Sequence, residues 1–196
     1  MTLARFSFLP PMRLAFLLCL LVLLGACATR TTPVGGEWIF ERQGRFALVA
    51  EGTGERSSST QGGFKWRESA QAWQIDLLSP LGATLARLTV TPGVAVLQEP
   101  DAPEQRAASA NELLARLLRE PVPADAMKDW LKGRIVQTQD VTNLRRDAEG
   151  RIVGFKQAGW TVTFDRYDDQ GPRLVSASSS SGGRSLVLRL VVDDPA

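Results

Sequence analysis

The chain of 196 residues contains no histidine, and this absence removes several kinds of active site. Ser-His-Asp triads, Cys-His pairs and metal sites built on imidazole are all excluded. The acidic pairs Asp125/Asp129 and Asp168/Asp169 are typical of solvated surfaces, and no cluster has the spacing of metal ligands. We therefore predict no catalytic residue, no metal and no cofactor, and a protein that is not an enzyme.

Cysteine, excess charge and long apolar runs are also scarce. There are two cysteines, and the 23 basic and 21 acidic residues give a net charge of +2 with no basic cluster, which argues against a nucleic-acid partner. The longest apolar run, residues 14–24, has eleven residues and is too short to span a membrane as a helix. Arg13 before it and Gly25-Ala26 after it indicate a secretory signal peptide.

The end of that signal is more specific than a general cleavage site. Leu24-Gly25-Ala26-Cys27 resembles the lipobox of bacterial lipoproteins, which implies cleavage before Cys27 and acylation of Cys27 as the lipid anchor. Ala28 stands where an aspartate would imply retention in the inner membrane, so the resemblance implies the outer membrane, with the domain facing the periplasm. The predicted organisation is a signal peptide at 1–26, an acylated N-terminus and tether at 27–40, and a domain at 41–196. Cleavage would remove Arg5 and Arg13 and leave 21 basic and 21 acidic residues.

Period-two alternation dominates the domain and predicts about nine antiparallel strands. A helical pair interrupts them. Ser109 to Glu112 fits a capping box for a first helix that ends at Pro121, and Pro123 suits the first turn of a second helix that Gly133 caps. Residues 178–183 (SSSSGG) are predicted to form a flexible connection. The fold class is mainly β: a strongly curved sheet or partial barrel with helices across its opening.

The inward-facing side of the predicted strands is rich in large aromatic residues. It can form either a filled core or a cavity, and the pattern alone leaves both open. The aromatic members are Phe46, Phe64, Trp66, Trp73, Phe155, Trp160 and Phe164.

One turn raises a separate question. Ser79-Pro80-Leu81-Gly82 has the composition of a type I β-turn, with Ser first, Pro second and Gly fourth. This places the apolar side chain of Leu81 at the tip of a hairpin, where polar residues are usual.

In order along the chain, several short stretches are similar to one family. They are the lipobox, Gly44–Leu48, Gly63–Trp66, Leu77–Thr84, Pro121–Pro123, Trp130–Gly133 and Gln157–Val162. Together they resemble LolB, the outer-membrane lipoprotein that receives other lipoproteins. The match runs from about Arg42 to Val192, nearly the whole predicted domain.

The resemblance implies an incomplete antiparallel β-barrel with a helical lid over a hydrophobic cavity. It implies a LolA-like periplasmic carrier that hands over acylated lipoprotein cargo, and insertion of that cargo into outer-membrane phospholipid without ATP by a monomer. The loop Pro80, Leu81 and Gly82 would insert into the membrane. The predicted acyl-chain cavity consists of Phe46, Leu48, Phe64, Trp66, Trp73, Ile75, Leu77, Leu88, Val90, Trp130, Phe155, Trp160, Val162, Phe164, Leu188 and Leu190. The alternatives are a lipoprotein that binds another lipid or apolar ligand, and a purely structural envelope lipoprotein.

Overall fold

The computed structural model describes residues 35–52 and 57–194. The predicted signal peptide and the anchor Cys27 lie outside these ranges. The strands are β1 (Phe40–Gly52), β2 (Ser58–Glu68), β3 (Trp73–Leu78), β4 (Thr84–Thr91), β5 (Val94–Glu99), β6 (Ala102–Ala107), β7 (Val141–Arg146), β8 (Ile152–Gln157), β9 (Trp160–Asp168), β10 (Gly171–Ser181) and β11 (Arg184–Val192). The helices of the described part are α1 (Ala110–Leu118) and α2 (Ala124–Trp130).

All eleven strands form one antiparallel sheet, in the order β6-β5-β4-β3-β2-β1-β11-β10-β9-β8-β7. The first and last strands of the chain's β-structure meet at its centre, where Phe46 of β1 faces Leu190 of β11. Within the described residues β6 and β7 have no pairing with each other, so the curved sheet stays open. The predicted incomplete antiparallel barrel is confirmed.

Strand periodicity decides which side chains are buried. Along β1, Arg42, Gly44, Phe46, Leu48 and Ala50 are buried, while the residues that alternate with them are more exposed. Strand β11 and the first part of β9 repeat this alternation, because successive side chains of a strand point to opposite faces of the sheet. The sheet therefore has one apolar face, and it needs a cover.

The helical pair supplies that cover. Helix α1 packs on β4, β5 and β6, and its Leu113 and Leu114 are fully buried. Helix α2 buries Met127 and Trp130 in the same core. We call α1, the connecting residues 119–123 and α2 the lid.

The lid's caps differ in part from the prediction. Ser109 precedes α1 with an extended backbone but makes no capping hydrogen bond through its side chain, so the predicted capping box is wrong. Glu112 pairs with Arg116 one turn later instead. Asn111 accepts a hydrogen bond of 3.1 Å from the backbone N–H of Asp125, which ties α1 to the start of α2.

At the second helix, Pro123 is the N-cap and not a residue of the first turn. The predicted glycine cap is confirmed. The N–H of Gly133 donates to Trp130 and that of Arg134 to Asp129, both at 2.9 Å, in a Schellman arrangement with Gly133 at a φ of +67°. This cap fixes the end of α2.

Two predictions about the strands are also corrected. The strands β6 and β7 were not predicted from the sequence. Both are edge strands that are largely exposed on both faces, so they carry no period-two pattern. Residues Ser178 to Ser181 belong to β10 and pair with β11; only Gly182 and Gly183 form the turn. The serines adopt a strand conformation because their backbone pairs with β11. Ser178 and Ser179 also pair with β9.

Candidate functional site

The apolar face of the sheet gathers the predicted interior residues into one cluster. Fifteen of the sixteen predicted cavity residues are buried, and Val90 is partly buried against them. The fold thereby brings together residues that are far apart in the chain. They come from β1, β2, β3, β4, β8, β9, β11 and α2. Whether they bind a ligand remains a prediction.

Aromatic rings dominate two parts of this interior. Trp66 and Trp73 stack with ring centroids 4.5 Å apart and an angle of 11°. Under α2, Trp130 contacts Phe155 and Trp160 edge to face, with centroids 6.5 and 6.2 Å away. Such contacts stabilise a core beyond the area they bury.

Side chains nearly fill the space between the lid and the sheet in this conformation. An apolar void of about 20 Å³ remains between the lid and the sheet, room for about one water molecule. The expected hydrophobic cavity is therefore filled by side chains here, as in the filled-core alternative. From the sheet the void is lined by Phe46, Phe64, Ile75, Leu77, Leu188 and Leu190, and from the lid by Leu114, Leu118, Val122 and Met127.

The four lid residues were absent from the predicted site. The apolar stripe of α1 at helical spacing was the available signal for Leu114 and Leu118, since a covering helix turns its stripe toward the space that it covers. Nothing comparable marked Val122, which lies in the connection between the helices.

One buried carboxylate attaches the lid to the sheet. Glu120, which is 5% exposed, accepts hydrogen bonds from the Arg184 guanidinium, with Nε at 3.2 Å, and from the Ser58 hydroxyl at 3.4 Å. Arg184 begins β11 and Ser58 begins β2. The connection between α1 and α2 is thus held to the rim of the sheet by a charged contact.

A second buried carboxylate holds the other end of the lid. Glu68 on β2 accepts a hydrogen bond of 2.9 Å from the Trp66 indole N–H and is paired with the Lys132 ammonium just after α2. The side chains of Glu68 and Lys132 are 8% and 16% exposed. The same ammonium lies 4.8 Å from the centre of the Phe40 ring.

Replacing Lys132 by methionine is expected to lower the free energy of unfolding by about 3 kcal/mol, because the Glu68 carboxylate would stay buried without its partner. Urea unfolding at neutral pH measures the change. The matched control is Lys65→Met, since the Lys65–Glu41 pair is 33% and 44% exposed and should contribute less than about 1 kcal/mol. Equal losses in the two variants would contradict a special role for the buried pair.

One buried donor has no acceptor. Trp130 is 1% exposed, and among the described residues its Nε1–H has no hydrogen-bond partner. The indole of Trp66, equally buried, donates to Glu68. An unpaired buried donor costs about 1–3 kcal/mol.

At the β3–β4 connection the predicted turn is present. The Gly82 N–H donates to the Ser79 carbonyl at 2.9 Å, the Ala83 N–H donates to the Ser79 hydroxyl at 3.1 Å, and Gly82 has a φ of +84°. Leu81 is 97% exposed at the tip, so its side chain does not fold back on the hairpin.

Comparison with known proteins decides the family. The family model described as "Outer membrane lipoprotein LolB" matches residues 39–194, which include every described strand and both lid helices. The chain belongs to the LolB family. The similar curated relatives include proteins named "Outer-membrane lipoprotein LolB" from Bordetella petrii (40% identical over 179 residues, 90% of this chain and 89% of the relative) and Cupriavidus necator (37% over 141 residues, 70% and 71%).

A solved structure is also similar. It is the LolA superfamily protein NE2245 from Nitrosomonas europaea, with a TM-score of 0.43 and 11% identity over 79% of this chain and 87% of that one. The sequence resemblance to LolB is confirmed by the family match itself.

LolB is a lipoprotein-transport family and not a known enzyme family. On α2, partial burial raises the pKa of Asp125 and of Asp129, and the charge of Lys128 opposes the rise at both. Within residues 35–52 and 57–194, no group of acidic side chains is placed to hold a metal ion. Neither helix in those ranges has the length and apolar character needed to cross a membrane.

Proposed function

We propose that this LolB-family protein accepts acylated lipoproteins from a LolA-like periplasmic carrier and inserts them into the inner leaflet of the outer membrane without ATP. The observation that carries the proposal is an apolar sheet face under a two-helix lid, with a residual void lined by both. In a LolB-family chain, that face is the surface suited to acyl chains.

The energetics suit direct transfer. Each buried CH₂ of an acyl chain is worth about 0.8 kcal/mol, so releasing whole chains into water would be prohibitive. Passing chains from one apolar interior to another exchanges burial for burial and needs no nucleotide. A receptor that binds better than its carrier by about 1.4 kcal/mol shifts the distribution tenfold.

The membrane attachment belongs to the same proposal. Acylated Cys27 anchors a monomer in the outer membrane, the 27–40 segment tethers it, and the 41–196 domain faces the periplasm. The hairpin tip at Pro80, Leu81 and Gly82 touches the phospholipid surface. The sixteen predicted interior residues and the four lid residues bind the acyl chains once the lid has moved.

Lid movement must break the contact of Glu120 with the sheet rim, because Glu120 lies in the connection that joins the helices. We expect Glu120→Gln to accelerate uptake of an apolar fluorescent probe about fivefold, as a barrier lowered by about 1 kcal/mol would. The effect is modest since the Arg184 side chain is 41% exposed. Stopped-flow fluorescence measures the rate.

Glu112→Gln is the matched control for that experiment. Glu112 also pairs with an arginine of the chain, but both partners lie on the outer surface of α1, with side chains about half exposed. This variant should take up the probe at the wild-type rate. An unchanged rate in Glu120→Gln would show that the rim contact does not limit opening.

Transfer tests the function itself. The full-length protein in phospholipid vesicles would receive a LolA-like carrier loaded with one lipoprotein, in the absence of nucleotide. We expect the cargo to move to the vesicle fraction, and to stay with the carrier when the vesicles lack this protein. Cargo that remains on a competent carrier in both cases would refute the proposal.

A further inference from the structure

The buried indole N–H of Trp130 has no hydrogen-bond acceptor among the described residues. An indole has one hydrogen-bonding group, its Nε1–H, so Trp130 has no other way to satisfy its polarity. The other orphan nitrogens in the described ranges belong to the arginines at 42, 67 and 173, whose guanidinium groups make hydrogen bonds through other nitrogens.

The surroundings of Trp130 explain why the donor is unpaired. The neighbouring rings of Phe155 and Trp160 meet it edge to face and offer no oxygen. Trp130 is the last residue of α2, and the Schellman cap at Gly133 fixes the backbone there. The donor is therefore held inside an apolar interior.

We propose that the Trp130 Nε1–H donates a hydrogen bond to a fatty-acyl ester carbonyl of the bound lipid. This inference rests on the proposed function, and it adds a named polar contact to a site that is otherwise apolar. An acyl chain is apolar except where it is esterified, and an ester carbonyl drawn under the lid loses its water. The unpaired donor of the interior and the unpaired acceptor of the ligand then satisfy each other.

The position of Trp130 in the lid gives the contact a second consequence. Without ligand, the closed lid carries an unpaired donor; with ligand, closing the lid pairs it. A ligand shifts an equilibrium toward the state in which it makes the better contacts. Trp130 is thus a positioning and specificity residue that favours closure over an esterified ligand.

Binding of ester and ether ligands tests the contact. The full-length protein would be held in nanodiscs of ether-linked lipid, so that the membrane supplies no ester. Two water-soluble short-chain ligands, a diacylglyceryl-cysteine peptide and a diacyl phosphatidylcholine, would each be compared with the dialkyl ether of the same length. We expect at least one ester ligand to bind about fivefold more tightly than its ether.

Two variants separate the hydrogen bond from the ring. Trp130→Phe keeps an aromatic side chain and removes the donor, so the ester-to-ether ratio should fall to about one. Trp38→Phe is the control, because Trp38 is not one of the interior residues and its ring lies against the Arg67 guanidinium, 5.2 Å from the ring centre. This variant should keep the fivefold ratio. In ¹⁵N-tryptophan-labelled protein, the indole resonance lost in Trp130→Phe should move downfield on addition of the ester and stay in place with the ether.

The binding results separate the Trp130 hydrogen bond from the proposed transfer function. Preference for the ester form of the peptide assigns the carbonyl to lipoprotein cargo, and preference for the phosphatidylcholine ester assigns it to membrane lipid; both support the contact. An ester-to-ether ratio unchanged by Trp130→Phe would overturn the inference and leave the proposed function standing. A wild-type protein that binds none of the four ligands would overturn both.

Discussion

Replacing Leu81 by glutamate is expected to leave the receipt of cargo intact and to slow its delivery to the bilayer by at least about tenfold. Leu81 is 97% exposed on a hairpin tip whose backbone is held by hydrogen bonds to Ser79. Burying a leucine is worth about 1.5–3 kcal/mol, which suits a brief contact with a membrane surface and is too little for an anchor. A carboxylate at the tip removes that gain and adds repulsion from anionic headgroups.

The measurement separates the two steps. Carrier-bound cargo would be mixed with vesicles bearing the variant, and cargo associated with the receptor would be distinguished from cargo inserted into lipid. Leu144→Glu is the control for an added charge, since Leu144 is a partly exposed leucine on the edge strand β7. Delivery by Leu81→Glu at the wild-type rate, or equal impairment by Leu144→Glu, would contradict a special role for the tip.

Replacing Leu118 by glutamate is expected to abolish acyl binding. Leu118 is the last residue of α1, is partly buried, and lines the void between lid and sheet together with Phe46 and Leu190. An acyl chain in that space would have to lie against a carboxylate without a partner, which costs several kcal/mol and lowers affinity more than about a hundredfold. Its partial exposure lets the empty domain fold with the carboxylate turned to water.

An apolar fluorescent probe measures the affinity, and circular dichroism checks the fold. Leu118→Met nearly conserves volume and polarity and should bind the probe as the wild type does. Leu144→Glu should also bind normally, because its position is outside the interior. A folded Leu118→Glu protein that binds the probe with wild-type affinity would place the acyl site elsewhere.

The sequence was most informative where one face of a strand is exposed to solvent and the other is buried. Alternation around Phe46, Trp66, Phe164 and Leu188 sufficed to place these residues in a common interior, because period two maps directly onto the faces of a sheet. It failed for β6 and β7, whose two faces are both largely exposed, and for the serine run of β10, where neighbouring strands impose an extended backbone on residues with no strong preference of their own.

The polar contacts of the lid were not predictable in the same way. Glu120 and Arg184 are 64 residues apart in the chain. The same separation divides Glu68 from Lys132. No local sequence pattern predicts pairs that are so far apart. The unpaired indole of Trp130 is likewise a property of three-dimensional surroundings. The closed interior depends on how α1 and α2 pack, which neither helix's own sequence specifies.

Acyl chains that occupy the space under the lid during transfer would lie within reach of the interior tryptophans and could quench their fluorescence. Trp66, Trp73, Trp130 and Trp160 lie in the interior, so receptor labelled with hydroxytryptophan, excited apart from the carrier's tryptophans, reports on that space. Carrier would be loaded with lipoprotein bearing brominated acyl chains. We expect the receptor's tryptophans to be quenched as cargo arrives, with little quenching in Leu118→Glu. Cargo that reaches the membrane while the receptor's tryptophans stay unquenched would contradict acyl-chain occupancy of the space under the lid.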